Sequence, residues 1–218
     1  MKSKTKSNSS LRNARLLHRS FFNRDPRAVS AELLGKLIVR REKGKLLAGR
    51  VVEVEAYLGA DDLAAHAAAG RTDRNSVLFG PPGHAYIYFI YGVHYCLNIS
   101  CMPEGEAGCV LVRALEPVSG IEEMAKARGL SDLDFGSARN LRLLASGPGK
   151  LCEALDITRA RDNDKDMVSS RSDLQAMEDG YQVGKVAITQ RIGITKSAEM
   201  PLRYVVAGSP FLSMKVKS

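Results

Sequence analysis

The sequence lacks any apolar run approaching the ~20 residues of a membrane-spanning helix, so no membrane function is expected. It contains no HExxH zinc motif, no GxSxG nucleophile motif and no glycine-rich dinucleotide motif. No local setting marks a cysteine as activated either. These absences argue against zinc-protease chemistry, against Ser-His-Asp or Cys-His catalysis, and against a redox cofactor.

The four cysteines include no CxxC pair, and no secretory signal is recognisable, so we expect reduced thiols in an intracellular protein. A zinc site could be drawn from three of them and a histidine. Cys96 and Cys109 lie in apolar, strand-like runs, however, which favours buried packing thiols. The cysteines are Cys96, Cys101, Cys109 and Cys152.

Acidic residues are absent from positions 1–24, which hold seven of the 32 basic residues. Without those seven, 25 basic residues face 24 acidic ones, so the net charge of +8 belongs to a basic arm on a nearly neutral body. We place the arm at residues 1–18 and expect it to be disordered. It could be a solubilising terminus, a source of attraction to a polyanion, or a transit peptide, and composition alone does not establish a nucleic-acid partner.

The remaining chain, 19–218, predicts one α+β domain with a largely antiparallel sheet, since 218 residues at 44% hydrophobic can build one large core. "LLAGRVVEVEAYLG" alternates as a strand, with Val52, Val54 and Ala56 on one face. "DDLAAHAAAG" predicts a helix ending at Gly70, while charged residues 158–180 predict a variable surface loop.

"HAYIYFIYGVHYCLNIS" predicts a hairpin that turns at Tyr91-Gly92, which places an aromatic ring in water. Large rings are normally buried, so an exposed one is expected to touch a partner. The alternative is that the Tyr91 ring folds back onto its own protein.

Several polar residues interrupt runs that read as interior strands. Glu55 lies either on a solvated sheet face, together with Glu53 and Tyr57, or in a cleft beside a water that it deprotonates. Asn98 and Arg113 need either main-chain partners or a ligand. The turn "SGPGKL" is either a plain helix start or a place that holds a phosphate, and it is not the nucleotide-binding motif.

Five stretches occur in a specific order: "RVVEVEAYLGADDLAAHAAAGRTDRN", "FGPPGHAYIYFIYGVHYCLNIS", "GCVLVRALEP", "SGPGKLCEALDI" and "PLRYVVAGSPFLS". The series resembles the alkyladenine (3-methyladenine) DNA glycosylase family, the kind without a helix-hairpin-helix that is found in bacteria and animals. The resemblance runs from about Arg19 to Ser213 and leaves the basic arm and residues 158–180 unmatched. It implies a compact domain with a curved antiparallel sheet and surrounding helices.

The resemblance implies a base-excision-repair enzyme that flips alkylated or deaminated purines out of DNA and hydrolyses the glycosidic bond. Glu55 would be the general base that activates water, and Arg113 would help to place that water. The expected substrates are 3-methyladenine, hypoxanthine and ethenoadenine, and the product is an uncut abasic site. The residues alone leave a second reading open, a non-catalytic nucleic-acid-binding protein of the same fold.

In the family, aromatic side chains enclose the flipped base, which implies Tyr57 on one side and Tyr88 with His66 on the other. Asn98 matches the position that crowds the amino group of guanine and so rejects the normal base. His66 also matches the position that reads the six-position edge of the purine. A lone helical histidine would otherwise be a packed or surface residue.

For DNA binding, the resemblance implies that Tyr91 fills the gap left by the flipped nucleotide. Val93 and His94 follow it where animal members carry methionine and tyrosine, which would change the grip on DNA. Four further positions match residues near the DNA backbone, namely Arg74, Asn75, Lys150 and Ser209.

The implied partner is double-stranded DNA that contains damaged purines, and the implied form is a monomer. No metal and no organic cofactor is implied. We expect a cytoplasmic location on nucleoid DNA in a bacterium, or a nuclear or organellar one in a eukaryote.

Overall fold

The computed structural model describes residues 11, 13–90 and 92–216. Nine strands are present in this part: β1 (Arg15–Leu16), β2 (Leu37–Glu42), β3 (Lys45–Tyr57), β4 (Ala85–Ile90), β5 (His94–Cys101), β6 (Gly108–Ser119), β7 (Leu174–Glu178), β8 (Val186–Thr189) and β9 (Arg203–Val206). The helices are α1 (Arg19–Phe22), α2 (Pro26–Leu33), α3 (Ile121–Ala127), α4 (Ala138–Ala145), α5 (Pro148–Ala154) and α6 (Arg159–Asp162), with a 3₁₀ turn at Ser76–Phe79. The predicted α+β class is confirmed.

All strand pairings are antiparallel, in the order β1-β7-β2-β3-β6-β5-β4. Strand β9 pairs with the second half of β3 and carries β8 on its other side. Residues 53–55 of β3 therefore have β6 on one side and β9 on the other. Both carboxylates of this stretch, Glu53 and Glu55, are fully buried.

Helix starts follow the local sequence. Asp25 accepts a hydrogen bond from the Arg27 N–H, and Pro26 occupies the first helical position of α2, which its fixed φ suits. Ser137 caps α4 in the same manner through the Asn140 N–H. Helices α4 and α5 pack on β5 and β6, and Leu144, Leu151 and other apolar side chains from them join the main core.

A β-bulge changes the predicted faces of β3. The register against β6 shifts on both sides of Glu53. As a result Val51, Val54 and Ala56 lie in the main core, whereas Val52 packs in a separate cluster with Phe211. The predicted common face for Val52, Val54 and Ala56 is therefore wrong at Val52.

The helix predicted over "DDLAAHAAAG" is also wrong. Residues 59–70 form consecutive turns, closed by backbone bonds such as Ala65 N–H to Asp62 C=O and Ala68 N–H to Ala65 C=O. The Asp62 side chain binds the N–H groups of Leu58 and Ala64 and so fixes a turn. Tertiary contacts of this buried aspartate override the helical preference of the alanines.

Residues 158–180 are not the predicted surface loop. They contain α6 and β7, and β7 lies inside the sheet between β1 and β2. Met167, Leu174 and Ala176 are fully buried. The charges that suggested a loop are paired instead, because Lys165 binds Asp162 and Asp173 within the segment and Arg40 of β2 binds both aspartates as well. Charged composition thus concealed an interior strand.

The predicted basic arm over 1–18 overlaps the fold. Arg15 and Leu16 pair with β7, and Leu11 and Leu17 are buried, while residues 1–10 and 12 lie outside the described residues. All four cysteines are free and buried, as predicted. Within the described residues no helix combines the length and apolar character needed to cross a bilayer, and no cluster of three potential metal ligands occurs.

Candidate active site

Glu55 is fully buried near the end of β3, so the solvated-face interpretation is wrong for this residue. Its Oε2 accepts hydrogen bonds from the Tyr57 hydroxyl at 3.1 Å and from Arg113 Nη1 at 3.3 Å. Its Oε1 accepts one from the Ile192 N–H at 2.7 Å. Burial raises the pKa of Glu55, and the Arg113 charge opposes that rise. The carboxylate is held from three segments of the chain.

Arg113 on β6 lies between two buried carboxylates. Its Nε is 3.2 Å from Glu53 Oε1, and its Nη1 reaches Glu55. Glu53 is itself fully buried and also accepts from Arg203 Nε at 2.8 Å and from the Ser213 hydroxyl at 2.7 Å. Arg113 therefore has carboxylate partners within the protein, and its guanidinium orients Glu55 directly.

Tyr57 and Tyr88 pack against one apolar cluster that contains Tyr86 and Cys109. Burial raises the pKa of both Tyr57 and Tyr88, so both phenols are neutral near pH 7. The Tyr57 hydroxyl faces Glu55, which joins the aromatic group to the carboxylate.

His66 lies on the turns after β3 and contacts two tyrosines of β4. Its ring is 4.6 Å from the Tyr88 ring and 5.8 Å from the Tyr86 ring, edge to face in both cases. Its Nδ1 is 2.9 Å from the Tyr86 hydroxyl. Partial removal from water, aided by the Arg74 charge, lowers the pKa of His66, so the ring is neutral at pH 7.

Asn98 is buried on β5 and uses both ends of its amide. The Nδ2 atom donates to the Tyr86 carbonyl at 3.2 Å, and Oδ1 accepts a long contact from the Cys109 thiol at 3.8 Å. Among the described residues one N–H of this amide has no protein acceptor. Glu55, Arg113, Tyr57, Tyr88, His66 and Asn98 thus form a connected group on neighbouring strands and the turn after β3, which we call the Glu55 site.

The other predicted residues lie around or away from the Glu55 site. Asn75 is buried and donates to the carbonyls of His66 and Gly70, so its side chain fastens the turns that carry His66. Arg74 is exposed beside them. Ser209 lines a cavity of about 340 Å³ near Arg50 and Glu116, which holds no other predicted site residue.

The hairpin tip carries Val93 and His94, both exposed, whereas Tyr91 lies outside the described residues. His94 packs along α5, because its Nδ1 is 3.2 Å from Glu153 Oε1 near the end of the helix and its ring lies beside Gly149 in the first turn. Lys150 is exposed on that turn. The fold therefore brings the predicted DNA-contacting residues His94 and Lys150 to one surface.

Sequence reasoning missed four residues at the site: Asp62, Tyr86, Arg191 and Ile192. The period-2 alternation of β4 puts Tyr86 on the face of Tyr88, and this signal could have found it. Arg191 pairs with Asp62, which is 129 residues away in the chain, and no local pattern reveals that contact. Ile192 contributes its backbone N–H, which no side-chain pattern encodes.

A family model described as methylpurine-DNA glycosylase matches residues 20–210. Three relatives carry the name "Putative 3-methyladenine DNA glycosylase". The protein from Koribacter versatilis is 62% identical over 95% of this chain and 97% of its own length. Those from Alkaliphilus oremlandii and Methanoculleus marisnigri are 42% and 45% identical, over 91% and 90% of this chain and 99% and 97% of their own lengths.

Proposed function

Because the chain belongs to the methylpurine-DNA glycosylase family and is a hydrolase of N-glycosyl bonds in DNA, we propose its substrates and mechanism as follows. It excises alkylated and deaminated purines of the 3-methyladenine, hypoxanthine and ethenoadenine class. The damaged nucleotide rotates out of the duplex, since the bond to be cut is inaccessible within the base stack. A water activated by Glu55 then replaces the base and leaves an abasic site.

The buried, restrained carboxylate of Glu55 is the observation that carries this proposal. A carboxylate offers about four acceptor positions, two on each oxygen. Tyr57 and Arg113 occupy Oε2, and the Ile192 N–H takes one position on Oε1. One position on Oε1 has no protein donor among the described residues, and we assign the nucleophilic water to it. Proton transfer to this oxygen and charge stabilisation of the oxocarbenium-like sugar would act together.

The aromatic part of the Glu55 site supports recognition of the damaged base. We assign one face of the purine to Tyr57 and the other to Tyr88 and His66. Stacking and cation–π attraction would favour electron-poor, cationic rings such as 3-methyladenine. The buried amide of Asn98 would clash with the amino group of guanine and reject undamaged guanine.

We propose a monofunctional enzyme that acts as a monomer. The protein groups that contact Glu55 in the described structure are a phenol, a guanidinium and a backbone N–H, and none is an amine that could form a Schiff base.

The exposed hairpin tip at Gly92 and Val93 supports insertion into DNA from this side, with Tyr91 filling the gap. With DNA as its substrate, we place it in the cytoplasm on the nucleoid, or in a nucleus or organelle.

Alkali cleavage tests the proposal. Duplex DNA with one hypoxanthine or one ethenoadenine is incubated with excess protein, and hot alkali then breaks the strand at abasic sites. We expect breaks at the lesion with native protein, and a loss of at least about 100-fold in rate with Glu55→Gln, as removal of a general base costs 10²–10⁴-fold. Binding of the lesion duplex should persist.

Glu116→Gln is the matched control for this experiment. Glu116 is a partly buried glutamate on β6 whose pKa is also raised by burial, but it lies in the cavity with Ser209 and Arg50. Its variant should cleave like native protein. If native protein binds the duplex and yields no alkali-labile site, the non-catalytic nucleic-acid-binding alternative replaces this proposal.

A further inference from the structure

Arg191 lies directly behind the aromatic wall of the Glu55 site. Its side chain is fully buried and forms two hydrogen bonds with Asp62, at 2.5 and 2.8 Å, and the Asp62 side chain is fully buried too. The guanidinium carbon is 4.6 Å from the centre of the Tyr57 ring. Among the described residues neither charge forms a hydrogen bond with a side chain of the Glu55 site, and the mechanism as proposed does not use either of them.

Arg191 is also hydrogen-bonded to β3, the strand that carries Glu55. Its Nη1 donates to the Ala56 carbonyl at 3.1 Å, which lies between Glu55 and Tyr57 in the sequence, and its Nη2 donates to the Ser197 carbonyl at 3.2 Å. The next residue along the chain, Ile192, donates its N–H to Glu55 Oε1. One short segment therefore fixes the Tyr57 ring through a side chain and the Glu55 carboxylate through a backbone N–H.

Asp62 connects Arg191 to the turns after β3. Besides binding Arg191, it accepts hydrogen bonds from the N–H groups of Leu58 and Ala64, which begin the turns that lead to His66. Asp62 thus ties these turns to the segment around Arg191.

We infer that Arg191 and Asp62 are positioning residues that hold the Glu55 carboxylate and the Tyr57 ring in their working geometry. The inference rests on the proposed role of Glu55 as the base. A buried ion pair adds little net stability, because desolvation offsets its attraction, but a two-bond pair restricts both partners to one geometry. An arginine suits this role because its planar fork binds two oxygens and stacks on a ring at once, which a lysine does not do.

The chain contains a second copy of the arrangement that does not reach the Glu55 site. Arg50 binds Asp179 at 3.0 and 2.8 Å, donates to the Gly35 carbonyl, and lies 4.0 Å from the centre of the Tyr181 ring. The side chains of Arg50 and Asp179 are buried as well. The two copies share the same chemistry, so a comparison separates positioning of the base from a general contribution to stability.

The test compares Arg191→Lys with Arg50→Lys, each of which keeps the charge and removes the fork. With excess protein on the hypoxanthine duplex, we expect Arg191→Lys to lower the maximal single-turnover rate about 10- to 100-fold, the range for a displacement of about 1 Å. Affinity for undamaged duplex should stay native, because the phosphate contacts are untouched. Arg50→Lys should lower the melting temperature comparably and leave the maximal rate within about threefold of native.

Asp62→Asn is the second variant, in case Arg191→Lys does not fold. It keeps one acceptor oxygen and replaces the other by an NH2 group, so the charge and one of the two hydrogen bonds to Arg191 are lost. It too should lower the maximal rate, with circular dichroism confirming the fold. A folded Arg191→Lys or Asp62→Asn protein that cleaves as fast as Arg50→Lys would overturn the inference. An inactive native protein would instead overturn the proposed function, so the two failures are distinguishable.

Discussion

At the scale of single residues, the environment of Glu55 sets the chemistry. Burial alone disfavours the charged carboxylate, while Arg113, the Ile192 N–H and the Tyr57 hydroxyl favour it. The balance lies on the side of a raised pKa. A base of raised pKa accepts a proton from water more readily than an ordinary glutamate, provided that it is ionised at the working pH.

This balance predicts the acid limb of the pH profile. Only ionised Glu55 can accept a proton, so the single-turnover rate should be low below its pKa and rise tenfold per pH unit up to it. Since the pKa is raised, the rise should end above pH 4.5, the ordinary value for a glutamate. The rate on a hypoxanthine duplex measured from pH 4 to 8 tests this. A profile already flat at pH 4.5 would contradict it.

At the scale of elements, the β4–β5 hairpin and the turns after β3 supply most of the groups that we propose to face the damaged base. Tyr86 and Tyr88 alternate along β4, and Tyr86 lies opposite Asn98 on β5. The tip of the same hairpin is braced by α5 through His94 and Glu153. One hairpin thus carries both the proposed pocket residues and the proposed DNA-inserting end.

The proposed insertion predicts a substrate-dependent effect of Tyr91→Ala. On duplex DNA the rate should fall about tenfold or more. The gap left by the flipped base would stay open, and the stacking that Tyr91 supplies, about 1–3 kcal/mol, would be lost. On single-stranded DNA with the same lesion no gap exists, and the rate should hardly change. Ile188→Ala, which shortens an exposed apolar side chain on β8, is the control on both substrates. Equal losses on the two substrates would argue against insertion.

At the scale of the whole molecule, a buried charge network anchors the C-terminal segment to the site. Glu53 accepts the Ser213 N–H at 2.6 Å and its hydroxyl at 2.7 Å, and Arg142 and Ser146 bind the Leu212 carbonyl. Arg203 adds a bond to the Met214 carbonyl. The last described residues therefore close over the buried carboxylate pair.

This network predicts that Glu53→Gln destabilises the whole fold. It leaves the charges of Arg113 and Arg203 short of a buried partner, and breaking such a pair costs about 3–5 kcal/mol. Glu178→Gln, which removes a partly exposed carboxylate paired with Arg15 and Lys36, should cost about 1 kcal/mol or less. Urea denaturation measures both. Equal midpoints for the two variants would refute the prediction.

Periodic and local features could be predicted from the sequence. The strand character of β3 and of the hairpin, the capped start of α2 and the buried cysteines depend on residues close together in the chain. The five ordered stretches also indicated the family, and the family pattern in turn pointed to Glu55 and Arg113 as candidate catalytic residues. Local order along the chain is sufficient for these features.

Predictions from the sequence were wrong where long-range contacts outweigh local preference. An alanine-rich segment became turns because Asp62 is bound across 129 positions by Arg191, and a charged segment became an interior strand because its charges found buried partners. Register was likewise set by a bulge around Glu53 that no repeat signals. By itself the sequence determined the family and the residues that we propose for the chemistry; only the tertiary structure decided what holds them, because those partners meet through folding and not through spacing.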